Sequence, residues 1–127
     1  MKVLVLLAKG FETMEFSVFI DVMGWARIDY HCDISVETCG FQKEVLSTFG
    51  VPVIADRMST YHLGNGVRQK QLEKFGVTVI NEPVVIDNNI ITSYCPQTAP
   101  QVAFTLLEML SNKELTEKVK TAMGFYL

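Results

Sequence analysis

The chain has 127 residues, of which 49% are hydrophobic and 20% charged, the size and composition of one packed domain and not of a disordered chain. Its net charge of -3 and pI near 5.3 give no basic footprint, so no nucleic-acid partner is expected. The apolar runs Val3–Ala8 and Ala103–Leu110, the second interrupted by Glu108, fall well short of the roughly 20 residues of a membrane span. The first is also too short for a signal-peptide core, so no membrane partner and a cytoplasmic location are expected.

Val3-Leu4-Val5-Leu6-Leu7 is a continuous apolar run of strand formers and reads as a strand buried on both faces, the habit of a parallel sheet. Gly10 ends it. A helix is predicted from about Thr13 to Arg27, with Phe16, Phe19, Ile20 and Met23 on one stripe. Glu12 and Glu15 fall in or near its first turn, where negative charge interacts favourably with the helix dipole. Ile34 to Thr38 alternates and reads as the second strand. Gly40 to Gly50 reads as a loop with a short strand around Glu44-Val45-Leu46, and Val51 to Ala55 as another extended piece. This β-α-β opening predicts a layered α/β sheet with a right-handed crossover.

Asp56 to Gly66 reads as irregular, followed by a short helix from about Val67 to Phe75 that Gly76 caps. After Pro83, Val84-Val85-Ile86 and Ile90-Ile91-Thr92 flank Asp87-Asn88-Asn89, a hairpin whose turn residues tolerate positive φ. A second long helix is expected from near Thr98, with Pro100 in its first turn and Ala103, Leu106, Leu107 and Leu110 as its buried stripe. Ser111 and Glu114 have the spacing of a capping box for a last helix reaching about Ala122. No repeat or linker divides the chain, so residues 1–127 read as one domain. A doubly wound sheet needs several buried parallel strands, and its centre is under-supplied here.

The stretch from Val3 to Glu15, VLVLLAKGFETME, resembles the opening strand, turn and helix of the DJ-one/PfpI superfamily, which has the class I glutamine amidotransferase-like fold. Thr60-Tyr61-His62 resembles that family's post-nucleophile strand and histidine. Glu82 to Ser93 resembles its late hairpin, and Thr98 to Phe104 the start of its last long helix. The resemblance covers nearly the whole chain. It implies a flavodoxin-like three-layer α/β/α sandwich with a mostly parallel sheet. Members carry a middle segment with a Pro-Gly-Gly loop and a nucleophile elbow, a cysteine on a tight strand-to-helix turn. This sequence has no Pro-Gly-Gly and no cysteine between Cys39 and Cys95, and the flanks join near residues 56–59. We read this as an internal deletion, which shortens the sheet in its centre.

The resemblance implies a homodimer and, in intact relatives, cysteine-dependent glyoxalase or deglycase, amidase or peptidase-like, or chaperone-like activity on small carbonyls or peptides. Three residues are candidates for chemistry. Glu15 is either a favourable first-turn charge or, as the resemblance implies, the glutamate that hydrogen-bonds and tunes the nucleophilic cysteine, whose thiolate is the reactive form. His62 is either a loop histidine or the family's proton-transfer histidine. Cys95, on a loop at a strand end, is either a plain thiol or a reactive one whose pKa a nearby helix N-terminus would lower. It does not match the family's nucleophile, and Pro96 is not an elbow glycine. The other function class open to the chain is a non-catalytic interaction, chaperone-like or redox-sensing module.

Three cysteines without a paired framework read as reduced thiols. Cys32 and Cys39, with His31 adjacent, lack zinc spacing, and on a regular strand they would face opposite ways, so no metal is expected. Gly64-Asn65-Gly66 reads as a turn, because it lacks a Walker lysine and the dinucleotide fingerprint; no cofactor is expected.

Overall fold

The computed structural model describes residues 1–58, 80, 82–93 and 95–125. The predicted helix over 67–75, its Gly76 cap, the Gly64-Asn65-Gly66 turn and His62 lie outside the described residues.

β1 (Lys2–Leu7) runs parallel to β2 (Ser35–Gly40), with Val3 opposite Val36 and Leu7 opposite Gly40. The crossover between them is α1 (Thr13–Ile28). The chain then makes an antiparallel hairpin, β3 (Glu44–Leu46) with β4 (Pro52–Ile54). β5 (Arg57–Met58) returns to pair parallel with β2, so a short strand stands where irregular chain was expected. The parallel sheet has the order β1-β2-β5. β6 (Val84–Asp87) and β7 (Ile90–Ser93) form the predicted second hairpin, with Asn88 at φ 52° in its turn. A 3-10 turn (Pro96–Thr98) leads into α2 (Ala99–Leu110), and α3 (Lys113–Ala122) closes the described chain. This is a flavodoxin-like α/β fold with a mostly parallel sheet.

One cluster joins the three helices. It contains Val18, Val22, Met23 and Ala26 of α1, Ala99, Ala103, Phe104 and Leu107 of α2, and Val119 of α3, with Val3 and Val36 of the sheet packed against it. The stripe of α1 therefore differs from the expected one. Met23 is buried as predicted, but Phe16 and Ile20 are only half-buried, and the small residues Val18, Val22 and Ala26 make the seam. α1 is apolar around most of its circumference, so more than one helical stripe satisfies the 3.6-residue period. The choice belongs to α2 and α3, which pack on it.

The strand β1 is not buried on both faces. Successive side chains alternate between faces. Val3 packs toward the helices and Leu7 is buried, whereas Leu4 is 56% and Leu6 46% exposed on the opposite face. The described helices share the cluster on one face of the sheet, and no described helix covers the other.

The last helix is capped differently from the prediction. Asn112 is the N-cap, its Oδ1 accepting the Leu115 N–H at 2.9 Å. Ser111 Oγ instead donates back to the Leu107 carbonyl at 2.6 Å, and Glu114 pairs with Lys118. Asn112, whose backbone is extended, takes the cap in place of Ser111.

Candidate site at the carboxyl end of β1

In open α/β sheets, ligands bind beyond the carboxyl ends of the strands. Here that region is built by the β1–α1 turn. Gly10 has φ +82°, a conformation L side chains rarely adopt, and it turns the chain out of the strand. The turn is laced to the end of β3 by three bonds. The Gly10 N–H donates to the Leu46 carbonyl at 2.8 Å, the Thr48 N–H to the Phe11 carbonyl at 3.0 Å, and Thr48 Oγ1 to the Gly10 carbonyl at 2.7 Å. The Phe11 ring meets Phe16 edge-on with centroids 5.6 Å apart, which orients the first turn of α1.

Beside this turn lies a cleft of about 390 Å³ lined by Leu7, Lys9, Phe41, Gln42, Glu44, Val45 and Leu46. Its wall is apolar at Leu7, Phe41 and Val45, and Lys9 and Glu44 bring one charge of each sign. Gly40, the last residue of β2, lets the floor close. A Cβ there would lie 2.5 Å from Val45 Cγ2 and 2.8 Å from the Gln42 carbonyl oxygen.

Asp56 anchors the chain as it returns to the sheet. Its Oδ2 accepts the Thr38 N–H at 2.7 Å and Thr38 Oγ1 at 2.8 Å, while its own N–H donates to Thr38 Oγ1 at 2.9 Å. The backbone donor first, then the hydroxyl, hold this carboxyl below the usual aspartate range. On the face that no described helix covers, Glu37 accepts from Arg57 and sits 2.7 Å from the Lys2 ammonium. These hydrogen bonds, Arg57's the larger, bring its pKa down from 4.5 to about 2. A depressed folded-state pKa adds stability that is complete above the unfolded value and lost as pH falls through the folded one. The expected result is a denaturant midpoint that falls between pH 4.5 and about 2, with a shallower fall in Glu37→Gln. Equal slopes in the two proteins would show that Glu37 carries none of the acid sensitivity.

Of the three sequence candidates, Glu15 and Cys95 are among the described residues. Glu15 is exposed in the first turn of α1 and makes no hydrogen bond or ion pair there. Cys95 lies after β7, half-buried, as the N-cap of the 3-10 turn, its carbonyl accepting Thr98 Oγ1 at 2.6 Å. No hydrogen bond joins its thiol to Glu15. His62 is outside the described residues. All three cysteines are free thiols: Cys39 is buried in β2, and Cys32 precedes that strand and does not share it. The cleft residues Lys9, Phe41, Gln42 and Glu44 and the Thr38–Asp56 pair were not singled out from sequence. The one available signal was the position of Lys9 and Phe41-Gln42 just past two strand ends.

No family model and no curated protein matches the sequence. Solved structures do. DJ-1 of Schizosaccharomyces pombe superposes with a TM-score of 0.78 at 18% identity, covering 98% of this chain and 99% of that one. The chain has the DJ-1 fold. DJ-1beta of Drosophila melanogaster gives 0.71 at 22% identity, with 96% of each chain covered. The similarity extends to an AraC family transcriptional regulator from Pseudomonas putida, at 0.73 and 16% identity, covering 97% and 99%. These neighbours are DJ-1/PfpI superfamily structures. Leu7 and Lys9 line the cleft at the carboxyl end of the first strand, and Glu15, in the first turn of the first helix, is not part of its lining.

Proposed function

We propose that this chain is a DJ-1/PfpI protein disarmed as an enzyme, whose intact relatives carry cysteine-dependent glyoxalase or deglycase, or amidase or peptidase-like, chemistry. The observation that supports this is the company Glu15 keeps. It stands at the start of α1, where the resemblance places the cysteine-tuning glutamate, and no thiol is bonded to it. A sulfur nucleophile needs a partner that favours its thiolate and a base within hydrogen-bond reach. Cys39 is buried within β2, Cys32 precedes it, and Cys95 follows a different hairpin. The route of the chain fits a lost elbow: only Ala55 and Asp56 separate β4 from β5.

The cleft beside β1 is then a binding feature and not a reaction chamber, and the chain works as a cytoplasmic interaction or redox-sensing module, as a homodimer. The purified chain is expected to consume methylglyoxal and to cleave peptide substrates no faster than its Cys95→Ser variant. Turnover well above background that disappears in Cys95→Ser would overturn the disarmed reading. Turnover that survives in Cys95→Ser but vanishes in Glu15→Gln would overturn it as well, since it would show chemistry through another group.

A further inference from the structure

The end of α3 holds an aromatic ring in place. Gly124 has φ +82° and turns the chain back, its N–H donating to the Thr121 carbonyl at 3.1 Å and the Phe125 N–H to the Lys120 carbonyl at 2.9 Å. In this glycine-ended cap the residue after the glycine folds onto the last turn of the helix. It sets Phe125 edge-on against Phe104 of α2, with centroids 5.1 Å apart and planes at 75°. Phe104 is buried, whereas Phe125 stays 44% exposed. Both rings line a cavity of about 590 Å³, a volume within the range of small-ligand sites. Much of the remaining lining is polar. Gln101 and Glu108 lie on one face of α2, and Gln97 precedes Gln101 by one turn.

The charges of this lining do not cancel. Lys120 sits 5.8 Å from the centroid of the Phe104 ring and is paired with Glu117 at 2.8 Å. No ion pair among the described residues includes Glu108. The cavity therefore offers a carboxylate, two side-chain amides and an exposed ring, a set that suits a flat cation rich in donors. We propose that it binds a guanidinium group on a flexible stem, as in arginine. The planar fork of a guanidinium donates two parallel bonds to a carboxylate, stacks on an aromatic ring, and has N–H groups left over for amide oxygens. An ammonium is a point charge that uses the carboxylate but not the ring and amides together. The site shares no residue with the lining of the cleft beside β1, and it stands whether or not the protein is an enzyme.

The test follows the backbone amide shifts of the isotope-labelled full chain during titration with N-acetylarginine amide and with agmatine, which carry the same group on a peptide-like frame and on a free amine. Saturable shifts are expected at Gln101, Glu108 and Phe125, and the tighter of the two ligands identifies the source of the group. N-acetylcitrulline amide, the neutral isostere, and N-acetyllysine amide are each expected to bind about fivefold more weakly than the arginine amide. Glu108→Gln is expected to weaken the arginine amide about fivefold and to erase its advantage over the citrulline amide. Phe125→Leu, which stays apolar but loses the ring, should weaken it about threefold. Both positions are exposed, so both variants should keep the circular dichroism of wild type. Failure of both guanidines to saturate overturns the proposal. So does equal binding of the citrulline or lysine amide, a Glu108→Gln protein that still prefers arginine to citrulline, or shifts confined to the cleft beside β1.

Discussion

Leu107→Ala is expected to remove about 2–5 kcal/mol of stability, a large part of the roughly 5–15 kcal/mol that a domain of this kind possesses. Leu107 is fully buried on α2, in the cluster that also holds Val22 and Ala26 of α1 and Val119 of α3. It is the one large aliphatic side chain that α2 buries completely, because its other fully packed positions are Ala99, Ala103 and Phe104. Truncation removes its transfer free energy and leaves a cavity that three helices would have to close together. They are held apart by their other contacts, so collapse is limited and the upper part of the range is favoured. The denaturant midpoint should fall with an unchanged m-value, which marks lost stability and not a changed unfolded state. Met109 on the same helix is 44% exposed, and Met109→Ala should stay within about 0.5 kcal/mol of wild type. Similar losses in the two variants would mean that α2 is not seated on the cluster as described. Because α2 and α1 share this seam, the first turn of α1, with Glu15, should loosen along with it.

The elements of this fold were legible where one local rule sufficed. The β1–α1–β2 unit follows from an apolar run of Val and Leu, a glycine, and a helical period predicted to about Arg27, one residue short of the observed end at Ile28. The β6–β7 hairpin follows from Asn88, which takes the positive φ its residue type tolerates. What sequence did not reveal is which side of each element is covered. In Val3-Leu4-Val5-Leu6-Leu7 both faces are equally apolar, so no pattern distinguishes a strand sandwiched between two layers from one with a bare face. The same ambiguity misplaced the stripe on α1, where Phe16 and Val18 are equally good core residues until α2 and α3 choose. The site was less legible still. Its floor is made by residues far apart in sequence: Leu7, Phe41 and Val45 meet only because β3 is tied to the β1–α1 turn. Asp56 reaches Thr38 across 18 positions, and no short motif announces such a pair. Glu15 was found because its place at a helix start is local. Whether any thiol stands beside it is a long-range fact.

Gly40→Ala is expected to lower stability by about 1–3 kcal/mol, the usual effect of forcing an extra methyl into a packed region. Glycine-to-alanine changes normally help by about 0.4–1 kcal/mol, because the unfolded chain loses freedom. At Gly40 the steric term wins. The new methyl would sit 2.5 Å from Val45 Cγ2, 2.8 Å from the Gln42 carbonyl oxygen and 3.3 Å from Ala55 Cβ. Val45 is buried and the Gln42 oxygen is backbone, so neither is the free end of a flexible side chain that could swing away. Gly24, in the middle of α1, has nothing within 4 Å of the same position, and Gly24→Ala should therefore gain about 0.5–1 kcal/mol. Opposite signs for two identical chemical changes would isolate the close approach as the cause. The strain at Gly40 falls on Phe41, Gln42 and Val45, which line the cleft beside β1, so any ligand found to bind there should bind more weakly to Gly40→Ala and as well as before to Gly24→Ala. If Gly40→Ala unfolds at the wild-type midpoint, β2 and the β3–β4 hairpin do not meet as closely as described, and the cleft loses its floor.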